Sequence, residues 1–177
     1  MKFRYLLLIL IGIAPAVFAA TPVTIPDANL KAVLLDALDK TSEPILDTEL
    51  ATLTNIQAGD AEIELLDGLE YCTSLATLNL EGNLIGDISP LAGLAALTDL
   101  SIRRNIISDL TPLTNLTALQ ILDASENQIV QLTPLGGLAA LETAKLSSNQ
   151  ISDISPLAGL TGLKDLYLND NLISDLS

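Results

Sequence analysis

The phrase LNLEGNLIGDISPLAGLAAL at residues 78–97 is restated, with changes, at 100–119, 122–141 and 144–163. The spacing is 22 residues throughout. Self-similarity at such a period demands a stack of like units, because no single unit can hide its apolar side except against its neighbours. The questions that remain are how each unit is built and which surface the stack leaves free.

In register, the units begin at Leu53, Leu75, Leu97, Leu119, Leu141 and Leu163. The alternation of Leu78 and Leu80 predicts a short strand with its leucines on one face, and stacked units set such strands in parallel ~4.8 Å apart. An asparagine closes the last five segments, at Asn83, Asn105, Asn127, Asn149 and Asn171, and an isoleucine follows two places on. A buried amide must be satisfied, and this one has donors and an acceptor for the backbone of its own coil and the next. Prolines at Pro90, Pro112, Pro134 and Pro156 then restart the chain on the far side. Ser89 or Ser155 can cap there, proline suits the first helical position, and a short helical or 3₁₀ turn fits the span.

The second unit therefore points Leu75, Leu78, Leu80, Asn83, Ile85, Ile88, Leu91 and Leu94 inward. Each buried aliphatic contributes ~1.5–3 kcal/mol before entropy is subtracted. Ala58, Ala124 and Ala144 stand in strand-leucine columns, leaving room for neighbours to fill, and Gln131 replaces an aspartate. Cys72 falls in the column of Leu94, Leu116, Leu138 and Leu160, which makes it a small buried hydrophobe. As the sole cysteine it forms no internal disulfide.

The ends differ from the repeats. MKFRYLLLILIGIAPAVFAA has Lys2 and Arg4, an apolar run from Tyr5 to Ala14, then Pro15 and small residues. That is the plan of a secretory signal peptide cut after Ala19, and the run falls short of the ~20 apolar residues a membrane span needs. No membrane insertion is expected after cleavage. The expected division is a signal at 1–19, a linker and helical cap at 20–52, and repeats at 53–177. In the cap, Leu30, Val33, Leu34, Ala37 and Leu38 recur at helical spacing, Asp27 can cap that helix, and a second helix can run from Asp47 into Leu53. Such a segment seals the open end of a stack. At the other end the sequence stops within a sixth coil, with Leu163, Leu166, Leu168 and Ile173 offering an apolar side. A truncated gene or fragment, self-association through the uncapped C-terminal coil, and a frayed terminus all fit.

The pattern L-x-x-L-x-L-x-x-N-x-I-x-D-[IL]-x-P-L-x-x-L, spread over residues 24–177, resembles the 22-residue leucine-rich repeat of bacterial internalins. The resemblance implies an α/β repeat solenoid, right-handed and curved. Short parallel strands would line its concave face and short helical or 3₁₀ turns its convex face, with an α-helical cap over 24–52. Some internalin caps are related to a calcium-binding hand. No loop of alternating Asp/Asn with a central Gly and terminal Glu occurs here, so neither metal nor cofactor is expected. The resemblance also implies non-enzymatic protein recognition by an exported bacterial protein, whether secreted, periplasmic or at the cell surface. The alternative is a structural or assembly segment of a larger cell-envelope protein, since internalin-like proteins commonly continue into an immunoglobulin-like domain and anchoring modules.

Strand positions between the inward leucines face the concave side. They place Asp99, Ile121 and Asp165 in one column and Ser101, Asp123, Lys145 and Tyr167 in the next, with Arg103 and Arg104 beyond. The columns predict ion pairs Glu81–Arg103, Arg104–Glu126 and Asp123–Lys145. A mixed-charge patch at Arg103, Arg104, Asp123, Lys145 and Tyr167 is the candidate site for a protein partner. Removing the signal leaves six basic residues against 22 acidic ones, a net charge of −16, which repels nucleic acid and anionic membrane.

Catalysis is disfavoured. The chain has no histidine, which removes the Ser-His-Asp, Cys-His and histidine–zinc chemistries. Asp99 and Asp123 would lie roughly 8 Å apart, within a glycosidase separation, but an open face does not desolvate an acid and Lys145 keeps Asp123 ionised. Asp87, Asp109, Asp153 and Asp175 form another ladder, best read as turn residues bonding local amides rather than as calcium ligands. Asn115-Leu116-Thr117 is a glycosylation sequon, relevant only to a eukaryotic source, which the resemblance argues against.

Overall fold

A computed structural model describes residues 19–174 of the 177. The expected signal peptide, apart from Ala19, and Asp175 of the aspartate ladder lie outside the described residues. The repeats form a six-stranded parallel sheet in sequence order. Its strands are β3 (Asn55–Gln57), β4 (Thr77–Asn79), β5 (Asp99–Ser101), β6 (Ile121–Asp123), β7 (Thr143–Lys145) and β8 (Asp165–Tyr167). Register never slips: Leu78 pairs with Leu100, Leu100 with Leu122, and Ala144 with Leu166. A one-residue slip would turn every leucine to water, so the apolar pattern holds the alignment.

All eight inward positions of the second unit are buried. So are Ala58, Ala124, Ala144 and Cys72. The last coil is different: Leu166 is 39% exposed although its column mates Leu100 and Leu122 are at 0%.

The far side of each of the first five units is a 3₁₀ turn, at Leu69–Tyr71, Ser89–Leu91, Thr111–Leu113, Thr133–Leu135 and Ser155–Gly159. The expected serine caps are not there. Ser89 and Ser155 open the turns as their first residues, so their side chains sit too late to cap. The preceding aspartates do that work: Asp87 accepts the Ser89 amide, Asp109 the Thr111 amide and Asp153 the Ser155 amide, each at 2.8 Å.

The asparagines run up the interior as expected, but they reach the preceding coil instead of the next. Asn83 Nδ2 donates to Ala58 O and Leu80 O at 2.8 Å, and its Oδ1 accepts the Ile63 amide at 2.9 Å. Asn105, Asn127, Asn149 and Asn171 repeat this one coil further each time. The direction follows from occupancy, since the amides of the next coil are taken by that coil's own neighbour. Among the described residues no buried side-chain nitrogen or oxygen lacks a partner. Just before each asparagine the backbone turns left-handed, with φ of 69° at Gly82, 55° at Arg104, 57° at Glu126 and Ser148, and 56° at Asp170.

The first described residues form a cap. β1 (Pro22–Val23) pairs antiparallel with β2 (Ile45–Leu46), a ribbon too short to leave a sequence signal. Between them, α1 (Ala28–Ala37) buries Leu30 and Leu34 against the first coil, while Ala37 is exposed, outside the expected apolar stripe. The second helix, α2, is Asp47–Leu50, shorter than the expected run into Leu53. Asp27 caps α1 through Oδ1, which accepts the Asn29 and Leu30 amides at 2.9 Å. Its Oδ2 accepts the Glu64 and Leu65 amides at 2.8 and 3.1 Å, tying the cap to the first coil. No helix among the described residues is long and apolar enough to cross a membrane.

Candidate interaction face

Because the leucines of each strand point inward, the residues between them point out. Pairing sets Asp99 beside Ile121, Ser101 beside Asp123, Asp123 beside Lys145, Thr143 beside Asp165 and Lys145 beside Tyr167. The columns read from the sequence are thus the columns of the sheet. Ile121 and Tyr167 are 39% and 47% exposed. Arg104, Lys145 and Asp165 are exposed as well, and Asp99, Ser101, Arg103 and Asp123 are half-buried.

Charge on this face is paired across coils, with one change from the expected scheme. Lys145 Nζ lies 3.4 Å from Asp123 Oδ2 and Arg103 Nη1 lies 3.6 Å from Glu81 Oε1, as anticipated. Glu126, however, is taken by Arg103, whose Nε and Nη2 donate to Glu126 Oε1 at 3.0 and 2.5 Å. That carboxylate raises the affinity of the guanidinium for its proton. Arg104 turns back the other way, with Nη1 3.7 Å from Asp60 Oδ1 and 3.9 Å from Glu81 Oε1. The left-handed backbone at Arg104 aims its side chain apart from that of Arg103, and the fork of Arg103 already occupies Glu126.

The result is a chain of charges, Asp60–Arg104–Glu81–Arg103–Glu126, laid across four successive coils. Asp60 escaped the sequence reading because its unit lacks the closing asparagine. Extending the Gly82 column back by one period would have found it. Gly82 makes the contact spatially possible, since a Cβ there would sit 2.2 Å from Asp60 Oδ1.

Each basic residue among the described ones is paired: Lys31 with Glu43, Lys40 with Glu49, Lys164 with Glu142, and the three on this face as above. The face offers no unpaired cation to an anionic ligand. A hollow on it, of about 320 Å³, is open and polar and includes Arg103, Asp123, Glu126, Lys145 and Tyr167 in its lining. Among the described residues no three His, Cys, Asp or Glu side chains gather as a metal site would require. The arrangement suits contact over a broad surface, with partners exchanging for the existing ion pairs, better than enclosure of a small substrate.

Residues 139–177 match the family described as Leucine Rich repeats (2 copies). No curated protein matches the chain in sequence. Among solved structures, the chain is similar to an internalin from Listeria monocytogenes, with a TM-score of 0.86 and 36% identity, covering 88% of this chain and 48% of that one. It is also similar to a leucine-rich-repeat protein of Leptospira interrogans, with a TM-score of 0.69 and 25% identity, covering 73% of this chain and 34% of the other. The chain spans about half the length of that Listeria internalin.

Proposed function

The chain is an internalin-like leucine-rich-repeat protein, and on that premise we propose that it is a non-enzymatic recognition module, exported from a bacterial cell, that binds another protein on its concave strand face. Solenoids of this type generally serve protein–protein interaction through the continuous surface their coils build. The observation that carries the reading is the strand face itself. Its outward columns lie in strict register, and the exposed side chains of Ile121 and Tyr167 are set beside paired charges. Tyrosine and arginine are favoured anchors at interfaces, and Asp99, Ser101, Arg104, Asp123, Lys145 and Asp165 supply a polar surround. The absence of histidine from the sequence and the openness of the hollow support a role without catalysis.

Export rests on the leader at 1–19 and gives the molecule its setting as secreted, periplasmic or at the cell surface. A protein partner is preferred to nucleic acid because the chain is strongly acidic and its described cations are already paired. The second reading is assembly, favoured by the exposure of Leu166 in the last described coil, where its column mates Leu100 and Leu122 are buried. A second copy or a following segment would cover it.

A photo-crosslinking residue at Ser101, compared with one at Thr114 on the opposite turn, tests the main reading against a panel of purified extracellular protein domains. A discrete adduct from Ser101 that is lost in the Arg103→Glu/Arg104→Glu variant is the expected result. Equal yields from both positions would remove the strand face from the proposal. Light scattering on residues 20–177 tests the assembly reading, which a clean monomer would count against.

A further inference from the structure

A second exposed surface lies on the flank of the stack, between the strands and the 3₁₀ turns. Leu65, Leu84, Ile106 and Val130 occupy this flank in four successive coils, each between 41% and 52% exposed. Together they present an apolar area on the order of 300 Å², the size at which an exposed patch on a monomer commonly has a use. The column of Leu84 and Ile106 continues with Gln128, Gln150 and Leu172, and that of Val130 also holds Ser108 and Ser152, so the fold itself does not require aliphatic residues there.

This flank is held rigid by its backbone. The Leu84 amide donates to Ile63 O at 2.9 Å, the Ile106 amide to Ile85 O at 3.1 Å, and the Leu65 amide to Asp27 Oδ2 at 3.1 Å. The Ile106 side chain reaches over Gly86, whose missing Cβ would lie 3.8 Å from it. Glu62, Glu64, Asp87 and Asp109 are exposed in the same stretches. No lysine or arginine occurs there, and the described cations are engaged on the cap, the strand face or Glu142.

We propose that this flank is a second protein-docking surface, separate from the strand face, and that its partner presents an aliphatic centre ringed by lysine or arginine. Complementary charge selects such a partner and hastens its approach. It also argues against a second copy of this chain, which would set acid against acid on a molecule of net charge −14.

The probe is a synthetic amphipathic helix of leucine and lysine, titrated onto the full chain by calorimetry. Leu84→Ser/Ile106→Ser leaves the charge unaltered and touches only exposed side chains, and a melting curve checks that it folds. The expected results are salt-sensitive binding that weakens about tenfold or more in that variant, no loss in Arg103→Glu/Arg104→Glu, and poor binding of a leucine–glutamate counterpart. Four results would each overturn the proposal: no binding by the unaltered chain, unchanged binding by Leu84→Ser/Ile106→Ser, loss of binding in the arginine variant, or equal binding of the acidic peptide. A dimer in sedimentation that dissolves on Ile106→Ser would overturn the choice of a foreign partner.

Discussion

Asn105 Oδ1 accepts the backbone amide of Ile85, one coil back, at 3.0 Å, while Asn105 Nδ2 donates to Leu80 O at 3.0 Å. One side chain thus satisfies the Ile85 amide and gives Leu80 O a second donor beside Asn83 Nδ2. Replacing Asn105 with leucine keeps the approximate volume and strands the Ile85 amide in the interior. The expected cost is ~1–3 kcal/mol or more, read as a lower urea midpoint. The same change at the half-buried Asn171 should cost less, because water reaches that coil.

Leu100 and Leu166 occupy one column but different surroundings, fully buried against 39% exposed. Leu100→Ala is expected to lower stability by ~2–5 kcal/mol. Leu166→Ala should fall well below that range. Equal losses in thermal melts would mean that the last coil is covered in solution.

Asp27 ties the cap to the repeats through four backbone amides. Burial works to raise its pKa, yet the amides together outweigh burial and hold the carboxyl below its usual value. Asp109 and Asp153 are lowered by the Thr111 and Ser155 side chains and amides, and Glu49 by the Lys40 ammonium and the Leu46 amide. Lowered folded-state values mean stability that is fully present above the ordinary carboxylate pKa of about 4 and lost as pH falls through the depressed values. Melting temperature should therefore be level near neutrality and drop below about pH 4. Asp27→Asn keeps a capping oxygen but turns an NH₂ toward the Glu64 and Leu65 amides. It should cost ~1–3 kcal/mol at neutral pH and flatten the acid limb.

Ser148 holds the left-handed position, φ 57°, that Gly82 fills three coils earlier. Ser148→Gly relieves a strain of ~1–2 kcal/mol and gives back part of it as unfolded-chain entropy, so a gain of up to ~1 kcal/mol is expected. Gly82→Ser should go the other way, since its Cβ would press on Asp60 Oδ1 and disturb the Arg104 contact. Denaturant midpoints of the two variants decide the matter.

Burial, and secondarily the charge of Glu70, push the Cys72 thiol up to about 12. A thiol-reactive dye at pH 8 should leave the native chain unlabelled and modify it fully in denaturant. Labelling of the native protein would place Cys72 nearer the surface than its 0% exposure allows.

The repeat alone determined the sheet order, the strand register, the eight inward positions and the buried thiol. Each of these follows from apolar spacing, and a 22-residue period admits one way of stacking it. It also set which residues share the strand face, because side-chain direction alternates along a strand. The tertiary structure decided what depends on where side chains end and not on where they start. Arg103 takes Glu126 while Arg104 turns toward Asp60, because adjacent residues on either side of a left-handed turn diverge. The backward reach of the asparagines and the two-sided grip of Asp27 are likewise contacts across coils, or between cap and coil. No periodicity records them, since a short polar side chain has several partners within reach and only the packed backbone leaves one set free.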